Sequence, residues 1–159
     1  EGVFRSDNAG KSWVKISNKL PFDKKRNSVL SLVYADPYRS GVIYAGFWNG
    51  GLWKSENYGL SWSKIKPFGK KKYNASSMSI SRYENGRSLM VLACSNHPLG
   101  DTPVQLLIST DEGNEWTDIY DSSLGCLRWI SVVADAKKQR IHTATAGSGI
   151  FYFDIIDNQ

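Results

Sequence analysis

Apolar residues in this chain of 159 residues come in short runs, and polar turns rich in Gly, Asn, Asp and Ser separate them. Leu30 to Ala35 reads as a strand, Asp36-Pro37 to Gly41 as a turn and Val42 to Gly46 as a second strand. The pattern returns as Met78 to Arg82, a turn at Glu84-Asn85-Gly86, and Leu89 to Cys94. It returns again as Trp129 to Ala134, a turn around Asp135 to Lys138, Ile141 to Ala146 and then Gly149 to Phe153. No segment carries the 3.6-residue periodicity of a helix, so the pattern predicts an all-β protein.

An octamer punctuates these runs. Ser6-Asp7-Asn8-Ala9-Gly10-Lys11-Ser12-Trp13 recurs as Ser55-Glu56-Asn57-Tyr58-Gly59-Leu60-Ser61-Trp62, and again as Ser109-Thr110-Asp111-Glu112-Gly113-Asn114-Glu115-Trp116. The copies start 49 and 54 residues apart. Each lies between two short strands: Gly2-Val3-Phe4 and Val14-Lys15-Ile16, Gly51-Leu52-Trp53 and Ser63-Lys64-Ile65, Leu106-Leu107-Ile108 and Thr117-Asp118-Ile119. Asn8, Asn57 and Asp111 can accept backbone N–H bonds, Ser6, Ser55 and Ser109 add hydroxyls, and Gly10, Gly59 and Gly113 supply positive φ. Trp13, Trp62 and Trp116 then fold an indole back over the turn. The octamer is therefore expected to be a hairpin bend, with its acidic members serving structure and not a metal. Four short strands per period of about 50 residues, with the same turn each time, is the pattern of a propeller blade.

These octamers resemble the Asp-box, or BNR repeat, written Ser-x-Asp-x-Gly-x-Thr-Trp, of sialidases, xyloglucan-degrading glycoside hydrolases, sortilin-type receptors and a photosystem assembly factor. The run Tyr44-Ala45-Gly46-Phe47-Trp48-Asn49-Gly50-Gly51-Leu52-Trp53-Lys54-Ser55 is most similar to the xyloglucanase-type branch. The resemblance implies a β-propeller. Two copies carry Asn at the usual Asp position and the third carries Glu115 where Thr or Ser is usual, and none of these changes prevents the turn. With strands lettered A to D outward from the axis, residues 1–17 read as strands C and D of one blade. Residues 28–66 and 76–120 read as full blades, and 128–156 as A, B and C of a further one. About three blades do not make an ordinary ring, since propellers close with at least about four. The expectation is an incomplete ring: a fragment, or one of several chains that assemble, with missing blades of the same or another chain as partners. Glu1 stands where a Met would open a chain, which fits processing or excision from something longer.

In propellers the D–A and B–C loops share one face. The D–A loops hold Lys19, Phe22, Lys24, Lys25 and Arg26, then Lys66, Phe68, Lys70, Lys71, Lys72 and Tyr73. The B–C loops hold Phe47, Trp48 and Asn49, then His97, Pro98 and Asp101. With a net charge of +5, this face reads as an electropositive, aromatic-lined surface for a glycan, a polyanion or an acidic protein. The bland alternative is solvated lysines, with Phe22 and Phe68 plugging blade junctions. Trp48 either stacks on a sugar ring or packs on the adjacent blade.

Within these residues the sequence does not support catalysis; if the chain is an enzyme, the resemblance implies a glycoside hydrolase. In xyloglucanase-type enzymes the resemblance implies an Asp in a B–C loop just before Gly-Gly, and here Trp48 stands in its place before Gly50-Gly51. Asp101 lacks that Gly-Gly context, and glycoside hydrolysis usually needs two carboxyls at one bond. Arg82 and Arg128 lie on or beside inner strands, but the Phe-Arg-Ile-Pro motif of sialidases is missing. His97 and His142 read as incidental, no Cys/His spacing resembles a zinc site, and neither cofactor nor specific nucleic acid is implied. Cys94 and Cys126 fall on one face, open to a disulfide on export or to two separate thiols. No run approaches the ~18 apolar residues of a membrane span, and the resemblance favours a secreted or periplasmic protein. The expectation is a noncatalytic recognition or assembly module, with a piece of a secreted glycoside hydrolase as the alternative.

Overall fold

The computed structural model describes residues 2–22, 28–65, 73–95, 104–125, 129–147 and 149–155. Strands β1 (Phe4–Arg5) and β2 (Val14–Lys15) pair as a two-stranded sheet. Strands β3 (Val29–Ala35), β4 (Ile43–Trp48), β5 (Gly51–Ser55) and β6 (Ser63–Ile65) form a four-stranded antiparallel meander. A second meander consists of β7 (Ala75–Arg82), β8 (Ser88–Cys94), β9 (Gln105–Ser109) and β10 (Thr117–Asp118). The last sheet holds β11 (Trp129–Asp135), β12 (Arg140–Thr145) and β13 (Gly149–Asp154). The sheets stack face to face like consecutive blades, with β3 against β7 and β7 against β11 at the inner side. This is an all-β propeller segment whose sheets do not close into a ring.

Packing between sheets explains why the central strands read as unbroken apolar runs. All of β8 is buried, and its side chains alternate between two cores. Met90, Leu92 and Cys94 join Tyr44, Leu52 and Leu107 on one side, whereas Leu89, Val91 and Ala93 join Trp129, Val132 and Ile141 on the other. A strand covered on both faces has no polar alternation to display. The first sheet covers the next through Val3, Ile16 and Leu20 against Ala45 and Phe47.

The inner strands carry a second device that the hydrophobic pattern hides. From Ser77 on, β7 holds serines at every other position, and their hydroxyls accept from the backbone of β11 and the residue that follows it: Val132 N–H to Ser77 Oγ at 3.2 Å, Ala134 N–H to Ser79 Oγ at 3.0 Å, and Ala136 N–H to Ser81 Oγ at 3.1 Å. An innermost strand has a ladder partner on one side only, so its other backbone donors need acceptors from elsewhere. At the preceding junction, Tyr34 Oη accepts from Ile80 N–H at 3.0 Å.

All three octamers are hairpin bends between antiparallel strands. Ser6, Ser55 and Ser109 Oγ accept from Gly10, Gly59 and Gly113 N–H at 2.7, 2.8 and 2.9 Å. The Asn8, Asn57 and Asp111 side chains accept from the N–H groups of Ser12, Ser61 and Glu115 at 2.9, 2.9 and 3.0 Å. The turn needs two consecutive left-handed residues, not the glycine alone: Ala9, Tyr58 and Glu112 have φ of 55°, 56° and 66°. Gly59 is doubly constrained, because its φ is +85° and an added Cβ would lie 2.4 Å from Ile16 Cδ1 of the preceding sheet.

The tryptophans depart from a common fold-back. Trp116 Nε1 does donate to Gly113 O within its own turn, at 2.9 Å. Trp62 Nε1 instead donates across to Ile16 O of the first sheet at 2.7 Å, pinning two sheets together. Trp13 is 62% exposed, since no sheet precedes its own among the described residues. At the far end, Ile150, Tyr152 and Val133 are exposed on the outer face of the last sheet.

Two outcomes follow. Ser79→Ala leaves the Ala134 amide without its acceptor, and should destabilise the chain by about 1–3 kcal/mol in urea unfolding, with faster hydrogen exchange at that amide. Burial pushes the Asp111 carboxyl up, but hydrogen bonds from Glu115, Ser109 and the neighbouring backbone outweigh it and hold the carboxyl below its ordinary value. A lowered folded-state value means stability that is present above the unfolded value, roughly 3.9, and lost as pH falls through the folded one. Asp111→Asn should therefore cost less than about 1 kcal/mol at neutral pH, and Asp111→Ala about 1–2 kcal/mol. The Ala penalty should shrink in urea titrations below about pH 4.

Candidate functional site

Each inner strand of the three larger sheets begins with an irregularity. The pairing of β3 with β4 slips between Leu30 and Leu32, that of β7 with β8 between Ala75 and Ser77, and that of β11 with β12 between Trp129 and Ser131. The extra residues are Ser31, Ser76 and Ile130. A bulge turns a side chain that regular alternation would have placed elsewhere. Beside the bulges lie the ends of the second strands, at Trp48 and at Cys94-Ser95.

These residues surround a cavity of about 330 Å³ lined by Val29, Leu30, Ser31, Trp48, Ser76, Ser95 and Trp129. Trp48, expected either to stack on a sugar or to pack on the next blade, is half-buried on this lining. Neighbouring Asn49 is exposed, left-handed at φ 56°, and its N–H donates to Asn74 Oδ1 at 2.7 Å.

The walls are held by hydrogen bonds that cross from sheet to sheet. Ser31 Oγ donates its hydrogen to Gly46 O, 3.0 Å away, or to Ala75 O of the next sheet. Ser76 Oγ donates to Ala93 O at 2.9 Å. Buried Ser95 Oγ accepts from Trp129 N–H at 3.0 Å and lies 3.0 Å from Ser76 Oγ and 3.1 Å from Trp129 O. Buried Asn74 joins two loops by donating from Nδ2 to Ser95 O at 3.2 Å while accepting from Asn49. Tyr73 plugs the space under Gly51, its Oη accepting from Leu52 N–H at 2.9 Å and donating to Ile65 O at 2.8 Å. Burial pushes the Tyr73 phenol well above its ordinary value, so it stays neutral. None of the described lining residues carries a carboxylate.

The sequence had pointed to Trp48 and Asn49 but had not singled out Ser31, Ser76, Ser95 or Asn74. The available signal was the alternation Ser77-Met78-Ser79-Ile80-Ser81, preceded by a second adjacent serine at Ser76. Lys24, Lys25, Arg26, Lys70, Lys71 and Lys72 lie outside the described residues, as do His97, Pro98, Asp101, Cys126 and Arg128. Cys94 is buried at the end of β8, and that burial pushes its thiol well above the ordinary value, making it unreactive. Arg82 lies on the opposite end of β7 from the cavity, with its guanidinium 4.9 Å from the Tyr38 ring centroid.

Among proteins of known identity, the xyloglucanase Xgh74A of Acetivibrio thermocellus is 28% identical over 159 residues, which span 94% of this chain but 18% of that enzyme. The structure of an ancestral GH74 enzyme superposes over the whole of this chain and 22% of its own, with a TM-score of 0.70 at 21% identity. The GH74 xyloglucanase from Xanthomonas campestris gives a TM-score of 0.64 at 23% identity over 94% of this chain and 20% of its own. The chain thus spans about a fifth of the relatives it resembles, and the structural likenesses show a shared propeller fold. The family model for sortilin (neurotensin receptor 3) and Vps10 matches residues 1–149. That match covers nearly the whole sequence, and the chain belongs to the Sortilin-Vps10 family.

Proposed function

We propose that this chain is a noncatalytic recognition and assembly module, exported from the cell, that binds a glycan in the cavity beside Trp48. The cavity itself carries the reading: about 330 Å³, at the lower end of the range for small-molecule sites, with an indole on its lining and no carboxylate among the described lining residues. An indole face suits the C–H face of a sugar ring, and surrounding hydroxyls suit its edges. The lysine-rich D–A segments of the sequence would add long-range attraction for an acidic partner. The apolar outer faces of the first and last sheets, with Trp13 and Ile150 exposed, support further blades as assembly partners. Trp48→Ala should weaken the binding of a xyloglucan oligosaccharide about tenfold in a calorimetric titration; equal binding by both proteins would overturn the reading.

A second reading is favoured by the xyloglucanase relative: this chain is a piece of a glycoside hydrolase whose carboxyl pair lies elsewhere. Incubation of the chain with xyloglucan separates the two. No new reducing ends are expected from a recognition module, and their steady release would establish the enzyme.

A further inference from the structure

The two bulge serines occupy equivalent positions in consecutive sheets. Ser31 is the extra residue where β3 pairs with β4, and Ser76 is the extra residue where β7 pairs with β8. Both line the same cavity, with Trp48. A regular strand would place residues 31 and 76 without this displacement, so the bulge is what brings a hydroxyl from each sheet to one space.

Their hydrogen-bonding capacity is already partly committed. A serine hydroxyl has one hydrogen and two lone pairs. The Ser31 hydrogen goes to Gly46 O or Ala75 O, and the Ser76 hydrogen to Ala93 O. Neither can donate to a ligand without abandoning a backbone carbonyl. What both can offer the cavity is a lone pair. Buried Ser95 lies between Ser76 and Trp129: its Oγ accepts from Trp129 N–H and donates to Ser76 Oγ or Trp129 O, so it buttresses Ser76 and takes at most one of that serine's two lone pairs.

We propose that Ser31 and Ser76 are the specificity-determining pair of this cavity, acting only as acceptors and selecting a neutral ligand that presents hydroxyl donors. This rests on the recognition reading of the Trp48 cavity. A carboxylate or sulfate placed against the pair would find lone pair facing lone pair, with no donor from either serine. A sugar hydroxyl would donate to each serine. The ligand class is therefore an uncharged polyol ring, and the anionic sugars that a basic chain attracts at long range are rejected at contact.

The test compares a neutral xyloglucan oligosaccharide with an oligogalacturonide of similar length, by calorimetry at 0.15 M salt or above so that the long-range attraction of a basic chain is screened. The neutral probe should bind more tightly. Ser76→Ala should weaken it about three- to tenfold, a fold-change typical of one lost hydrogen bond, and Ser76→Thr should restore most of the loss. Ser31→Ala should act similarly, and its circular dichroism is checked because Ser31 also joins two sheets. A neutral probe lacking one ring hydroxyl should lose affinity for the natural chain, yet lose less for whichever serine variant has already forfeited that contact. If the oligogalacturonide binds better, or if neither serine variant changes binding while Trp48→Ala does, the selectivity assigned to the pair is wrong and the recognition reading survives. If Trp48→Ala also changes nothing, the cavity is not the site and both fall.

Discussion

The structure depends on how the innermost strands satisfy their backbones. A strand at the axis of a propeller segment has a hydrogen-bonding neighbour on its outer side only. Its inward N–H groups lie where the next sheet packs closely and water has little access, and a buried donor without a partner costs about 1–3 kcal/mol. Ser77, Ser79 and Ser81 answer this at the junction of β7 with β11, one hydroxyl for each of three amides. Tyr34 answers it once at the junction of β3 with β7. The stacking of sheets is thus directional as well as hydrophobic. Apolar cores bring two sheets together, and the side-chain ladder fixes how far one slides along the other.

At the other ends of the strands the octamer turns make a second set of links. In the second and third octamers the left-handed residue after the Asn or Asp is tied to the preceding sheet, through the backbone of Tyr58 and the side chain of Glu112. Arg5 donates to Tyr58 O at 2.8 Å, and Arg39 pairs with Glu112. Arg39 also holds Asp36, whose side chain is almost fully buried, and donates to Tyr44 Oη at 2.9 Å. Burial raises the Tyr44 phenol to about 12 despite that guanidinium, so it remains a neutral acceptor. The Arg39–Glu112 pair is half exposed and contributes little by itself, on the order of 1 kcal/mol or less. Its value is in position: it ties one sheet's A–B turn to the next sheet's octamer.

At the end of the inner strands opposite these turns lies the cavity, and its polarity is a by-product of the same backbone constraints. The bulges that open each inner strand displace one residue per sheet, and in two sheets that residue is serine. Their hydrogens go to backbone carbonyls. Acceptors remain. A recognition surface arises where structural hydrogen bonding stops short of full satisfaction, and the indole of Trp48 supplies the apolar part.

The sequence by itself determined the fold class and the bends. Ser, Asn or Asp, and Gly at fixed offsets define a turn through contacts within eight residues, and local chemistry of that kind is legible in one dimension. It also marked Trp48, because an aromatic before Gly50-Gly51 has no neighbours in sequence to cover it. Tertiary structure decided what each repeated residue does. Trp62 bonds across to Ile16, Trp116 bonds within its own turn and Trp13 is exposed, although all three hold the same place in the octamer. Ser76 and Ser77 are adjacent in sequence, yet one lines the cavity and the other holds β11, because a one-residue slip in pairing sends them different ways. Register relates residues on different strands, and the stacking of sheets relates residues as far as 46 and 55 positions apart, so no local pattern encodes which atom will stand opposite which.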